Sequence, residues 1–270
     1  MKKYLLIALW FCLGSVQAYG TSAWHAFVFG DYLKARELGR NENTAHGLTT
    51  ACRASLVIGG FRTDDATATQ YLHTAIRDCL QALKIDNRHF DAQMSLAIAL
   101  SFEGKRVKNI FYPKTAREIL EHLLQEHPDN ALAYGALGAW HSQVSAAGFF
   151  ARITLKASRK NARKLFTEAF SHGVIDFPLR MEHLKFLAAG SKKERREALE
   201  VAKALVAETV YSEFDRLLQE RANILLEALY TGKKRNIKKA IKNISAFSKA
   251  EGWEDIDDFP KTEVSEAALY

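Results

Sequence analysis

The stretch Thr115–His141, TAREILEHLLQEHPDNALAYGALGAWH, decides the fold. Ala116, Leu120 and Leu123 stand at i, i+4 and i+7, one stripe of a helix. Pro128-Asp129-Asn130 ends that helix, because proline has no N–H to donate and the residue before it disfavours the α region. A second helical period begins at once, with Tyr134, Leu137, Gly138 and His141 on one face. Ala116 and Gly138 remove side-chain bulk where neighbouring helices would cross. Helix, tight turn, helix is the joint of an array of αα-hairpins.

The stripe recurs along the chain. Ala75, Cys79 and Ala82 repeat it upstream, closed by Ile85-Asp86-Asn87 in place of the proline turn. Ala162, Phe166 and Ala169 repeat it downstream, and Ala35 follows the turn Gly30-Asp31-Tyr32. The anchors Ala35, Ala75, Ala116 and Ala162 are 40, 41 and 46 residues apart. This order of small, aromatic and aliphatic residues, with a proline at the unit's end, resembles the tetratricopeptide repeat. The standard unit has about 34 residues, so these read as degenerate repeats with extended hairpins. Residues 133–162 also resemble a segment of the regulator of microtubule dynamics family and of bacterial secreted tetratricopeptide-like proteins. Leu137-Gly138, Trp140-His141 and Val144-Ser145 carry that likeness. The resemblance implies an all-α fold: a tetratricopeptide-like superhelix, or solenoid, over residues 19–252. The eukaryotic role of that family does not transfer to a chain with a secretory signal.

That signal is at the N-terminus. Lys2 and Lys3 precede an apolar run from Tyr4 to Gly14, and Val16-Gln17-Ala18 offers small residues where a signal peptidase reads. The run is short for a membrane span, which needs about 20 apolar residues. Residues 1–18 therefore read as a cleaved signal peptide, with an uncleaved anchor as the alternative. The bacterial periplasm is the simplest destination. Cys52 and Cys79 would then lie in an oxidising compartment, where they either pair or stay as buried thiols.

Other joints are legible. Gly59-Gly60 reads as a left-handed helix end, Asp64 or Asp65 as the cap of the next helix, and Gly104–Pro113 as a long inserted connection. Ser191 and Glu194 have capping-box spacing. Residues 253–270 read as an acidic, turn-rich tail.

The net charge of +7 conceals segregation. Residues 151–250 hold 22 Lys and Arg against 11 Asp and Glu, a net of +11, whereas residues 251–270 carry a net of −6. Arg152, Lys156, Arg159, Lys160, Arg163 and Lys164 stand at helical spacing with no acid before Glu168. They form either a solvated face, partly neutralised by the acidic tail, or a ridge for polyanions such as lipid phosphate, with Phe149-Phe150 beside it. Nucleic acid is not an expected partner outside the cytoplasm.

No phosphate loop, Gly-x-Ser-x-Gly elbow, His-Glu-x-x-His or Cys-x-x-Cys occurs. Glu118, His122 and His127 read as surface groups, and Trp24-His25 and Trp140-His141 as packing aromatics. Neither catalysis, cofactor nor metal is expected. The expected function is an extracytoplasmic scaffold that binds an unidentified protein or peptide on the concave face of the superhelix. Asp91, Met94, Ile98 and Ser101 of one unit, and Leu132, Gly135, Ala139 and Ser142 of the next, should line that face. The alternative is a periplasmic carrier of a lipid-like or organic solute, serving a transporter.

Overall fold

The computed structural model describes residues 22–173, 176–248 and 256–267, and among them every regular element is helical. The expected signal peptide lies outside the described residues, as do residues 253–255 and 268–270 of the expected tail. The helices are α1 (Ser22–Val28), α2 (Tyr32–Glu42), α3 (Ala45–Val57), α4 (Asp65–Ile85), α5 (Phe90–Val107), α6 (Phe111–Glu126) and α7 (Ala131–Ala146). Then follow α8 (Phe149–Thr154), α9 (Arg159–His172), α10 (Phe177–Ala188), α11 (Lys192–Ala207), α12 (Glu213–Tyr230), α13 (Lys234–Ile244) and α14 (Lys261–Ala267).

Many helix starts are set locally. The side chains of Asp31, Thr44, Asn130, Ser158, Asp176 and Ser212 accept a hydrogen bond from the first turn of the helix they precede. Ser191 and Glu194 form a reciprocal capping box. Successive helices then pack on one another. The anchors Ala35, Ala75, Ala116 and Ala162 are fully buried, as are Cys79, Ala82, Leu123 and Ala169 from the same stripes. At the α7–α9 crossing, a Cβ on Gly138 would lie 3.3 Å from Phe166 and 3.4 Å from the Ala162 carbonyl. Trp140 closes the α6–α7 hairpin by donating its indole N–H to the Pro113 carbonyl at 2.9 Å. Cys52 and Cys79 form a disulfide between α3 and α4. Spanning 27 positions, it contributes about 3–4 kcal/mol in the chain-entropy account.

Three expected joints are corrected. Gly59 and Gly60 do not end α3 in a left-handed turn; they sit in a π-helical turn, Ile58–Arg62. The expected insertion at Gly104–Pro113 is absent, since only residues 108–110 separate α5 from α6. Lys108 makes that reversal possible at φ 51°, and Gly104 lets the Pro113 ring approach, because a Cβ there would lie 2.3 Å from Pro113 Cδ. The long connection is 147–158, which carries α8. Nor does the described part of the acidic stretch trail free: Phe259 and Val264 are fully buried, and α14 packs on α4.

The chain also curls until its late helices meet its first ones. Phe214 of α12 packs edge-on against Phe27 of α1 and tilts against Phe61 of the π-turn. Arg221 lies over the Phe61 ring at 4.5 Å, and the Phe247 N–H donates to the Gly60 carbonyl at 3.0 Å. Phe247 completes the contact by filling space beside Gly59, Gly60 and Phe102.

The closest backbone approach is between α2 and α3. A Cβ on Gly39 would lie 2.2 Å from the Gly47 carbonyl oxygen, and one on Gly47 would lie 2.6 Å from that of Gly39. In an open helix, glycine to alanine gains up to about 1 kcal/mol. Here backbone blocks the methyl, so Gly39→Ala and Gly47→Ala should each lose about 1–3 kcal/mol in urea denaturation. Unchanged or raised stability in both variants contradicts this packing.

Candidate functional site

Among the described residues, the arrangement with most chemical content lies where α4, α5 and α6 meet the segment 256–259. On α5, Ala92, Leu96 and Ala99 form a buried stripe, and its next two positions are Glu103 and Arg106. Both charged side chains have no solvent exposure. They pair bidentately: Arg106 Nε to Glu103 Oε2 at 2.9 Å, and Nη2 to Oε1 at 2.7 Å. The short α5–α6 reversal then sets Tyr112, in the first turn of α6, near the pair. From α4, His73 Nε2 lies 3.1 Å from Glu103 Oε1.

This cluster holds the main chain of 256–259. Arg106 donates to the carbonyls of Ile256 at 2.8 Å and Asp257 at 2.9 Å. Glu103 accepts the Phe259 N–H at 2.9 Å, and the Tyr112 hydroxyl donates to the Phe259 carbonyl. The Phe259 ring is fully buried, with the His73 ring edge-on to it at 5.5 Å and the Arg77 guanidinium 5.2 Å from its centre. Asp257 and Asp258 face solvent. The cluster therefore grips backbone and one aromatic anchor, with Ile256 half-buried against the core and the Asp257 and Asp258 side chains left in water.

Electrostatics hold the bonding pattern. Burial by itself would raise the Glu103 carboxyl, but hydrogen bonds from Arg106, His73 and the Phe259 N–H outweigh it and hold Glu103 down to about 2. Burial, with Asp258 and Glu103 nearby, pushes the Tyr112 phenol up, so it stays a donor.

Three of the eight residues expected to line a partner-binding face are covered. Met94, Gly135 and Ala139 are buried, which corrects their placement on an open concave surface. Helix α10 lies over α7 there: a Cβ on Gly135 would meet Leu179 at 3.1 Å, and Ala139 shares a core with Phe177 and Met181. Ile98 stays exposed, and Asp91, Ser101, Leu132 and Ser142 are half-buried.

The basic ridge is not one helical face. It is split between α8 and α9, with Lys156 between them at φ 50°. Arg159 and Arg163 both turn to Glu194 of α11, and Arg159 also covers the Phe186 ring at 4.2 Å. Arg152, Lys156, Lys160 and Lys164 remain exposed. A second basic face was missed in the sequence. On α13, Ile237, Ala240 and Ile244 are buried, while Lys234, Arg235, Lys238, Lys239 and Lys242 are exposed. The run KKRNIKKAIKN, with isoleucine and alanine at helical spacing, was its signal.

No group of three or more His, Cys, Asp or Glu among the described residues is placed to hold a metal ion. Glu118 lies 3.6 Å from Lys114, and His122 lies 3.7 Å from Glu126. Two histidines are kept neutral. Burial, then Arg117, pulls His141 down to about 4, and burial, then Arg163, does the same to His183 among Phe166, Phe170 and Phe186.

Comparisons with family models, with curated proteins and with solved structures gave no match.

Two predictions follow from the buried groups. Arg106→Met strands the Glu103 carboxylate and should destabilise the protein by about 3–5 kcal/mol, whereas Arg106→Met with Glu103→Leu should recover only the part owed to the stranded charge, because the Ile256 and Asp257 carbonyls and the Phe259 N–H lose their partners as well. Equal loss in the single and double variants contradicts the pairing. With acid, stability should fall in two stages. His183 has a folded value of about 4 against an ordinary 6.5, so its contribution is complete above pH 6.5 and shrinks as pH drops toward 4. Glu103, at about 2 against 4.5, contributes above pH 4.5 and loses that contribution as pH falls toward 2. In urea titrations at stepped pH, His183→Phe should shrink the first stage and leave the second. A first stage of undiminished size contradicts this.

Proposed function

We propose that this protein is an exported, non-catalytic scaffold of degenerate tetratricopeptide-like αα-hairpins that binds extended peptide segments in the α4–α6 groove. The observation that carries the reading is the complete pairing of four main-chain groups of residues 256–259 by Arg106, Glu103 and Tyr112. Main-chain pairing supplies affinity with little dependence on sequence, and one side-chain pocket supplies selectivity. The pocket here takes Phe259, immediately before Pro260. The fitting partner is a protein segment with an aromatic residue in an extended run, flanked by acidic or polar residues that stay in water. The chain's own C-terminal segment is the resident occupant, and a partner competes with it.

Three features support the rest of the proposal. The buried alanine stripes, on α4 packed between α3 and α5, on α6 packed against α5 and α7, and on α9 packed against α7, support the repeat reading. The Cys52–Cys79 bridge and the signal-like residues 1–18 support a periplasmic location. No described helix is long and apolar enough to cross a membrane.

A fluorescent peptide of residues 255–267 tests the binding reading by anisotropy. Phe259→Ser should loosen the resident segment and bind the peptide with about micromolar affinity. Wild-type protein should bind it at least about tenfold more weakly, because the tethered segment competes at roughly millimolar effective concentration. Saturable binding by neither protein contradicts the proposal.

A further inference from the structure

The connection between α7 and α9 packs on the helical body through Ala151, Leu155 and Ala157 and turns its other side to solvent. Gly148 bends the chain at its start, at φ 130°, and Lys156 at its end, at φ 50°. Between them α8 has no fully buried residue. Phe149 is 63% exposed, Phe150 84% and Ile153 56%, so three large apolar side chains of one six-residue helix stand in water. Isolated exposed apolar residues are ordinary, but three together at an exposed tip mark a contact surface. The base is fixed. Leu155 and Ala157 are buried, and Arg117 donates to the Leu155 carbonyl at 3.2 Å.

Charge around the tip has one sign. Arg152 lies within α8 with its guanidinium 5.6 Å from the Phe149 ring centre, and Lys156 follows. Lys160 and Lys164 project from the start of α9. No acidic residue occurs in the sequence between Asp129 and Glu168. Acids that approach from other helices are engaged: Glu194 by Arg159 and Arg163, Glu121 by Arg117, and Glu182 by Lys185 and Gln143.

We propose that α8 is a membrane-docking knuckle for an anionic lipid surface. Phe149, Phe150 and Ile153 enter the interfacial zone, and Arg152, Lys156, Lys160 and Lys164 lie over the lipid phosphates. The chemistry favours lipid over a folded protein. A convex aromatic tip meets a soft interface without a shaped pocket, and aromatic rings favour the headgroup level. Lysine and arginine near an anionic leaflet add attraction that decays within a Debye length. Neither shallow insertion nor basic charge alone holds a protein firmly; together they give reversible attachment. This would bring the peptide-binding body to a membrane face, and it stands whether or not the α4–α6 groove binds a partner.

Vesicle co-sedimentation of the purified full chain tests it, using vesicles with about 30% phosphatidylglycerol in phosphatidylcholine against pure phosphatidylcholine. The N-terminal apolar run is common to every variant, so differences between variants report on α8. Wild type should prefer the anionic vesicles, and raising salt from about 50 to about 300 mM should weaken binding about tenfold. Phe149→Ser with Phe150→Ser should cost about tenfold or more, as should Lys160→Glu with Lys164→Glu. These side chains are exposed, so an unchanged far-UV circular dichroism spectrum is expected. Lys238→Glu with Lys239→Glu, on α13, should stay within about twofold of wild type. Three results overturn the proposal: wild-type-like binding by the double-serine variant, a larger loss from the α13 variant, or a solution dimer that the serines abolish without any vesicle binding.

Discussion

The buried Glu103–Arg106 pair is the constraint on which the first half of this molecule depends. Dehydrating a carboxylate and a guanidinium costs several kcal/mol per ion, so mutual attraction alone does not justify the pair. Every remaining donor and acceptor must find a partner. The segment 256–259 has the complementary difficulty: it belongs to no helix or sheet and is buried at Phe259, so its carbonyls and N–H take partners from elsewhere. Arg106, Glu103 and Tyr112 meet both needs in one arrangement. The short α5–α6 reversal at Lys108 and the missing Cβ of Gly104 bring Tyr112 to the pair.

The rest of the body follows from close helix approach. Alanine and glycine at the crossings of α2 with α3 and of α7 with α9 let helices approach nearly backbone to backbone. Helices packed in chain order then curl round until α12 and Phe247 meet α1 and the π-turn. That curl covers α7 with α10, which is why residues such as Ala139 serve the core rather than a partner. The features proposed for binding lie at the edges: the segment 256–259 held by Arg106, Glu103 and Tyr112, and the exposed side of α8.

Much of the architecture was legible in the sequence because its signals are local. The Pro128-Asp129-Asn130 joint, the Ser191–Glu194 capping box and the three stripes led by Ala75, Ala116 and Ala162 depend on residues within a turn or two of one another. The candidate site was not legible, for a nonlocal reason. Glu103 and Arg106, three apart near a helix end, look like an ordinary surface pair. Their one clue was that they continue the apolar stripe of Ala92, Leu96 and Ala99. The docking of Phe259 and Val264 depends on contacts some 150 positions away in sequence, beyond the reach of any periodicity. The pairing of Arg159 and Arg163 was hidden in the same way, because Glu194 lies on another helix.

The central claim is that residues 256–267 occupy a ligand groove and are not simply part of the core. Hydrogen–deuterium exchange of the full chain, with and without excess peptide of residues 255–267, tests it most directly. The account predicts protection of the Phe259 and Val264 amides in the free protein. Added peptide should remove that protection while α4, α5 and α6 keep theirs. Loss of protection at residue 259 only when α4–α6 unfold as well, or no protection there at all, would contradict it.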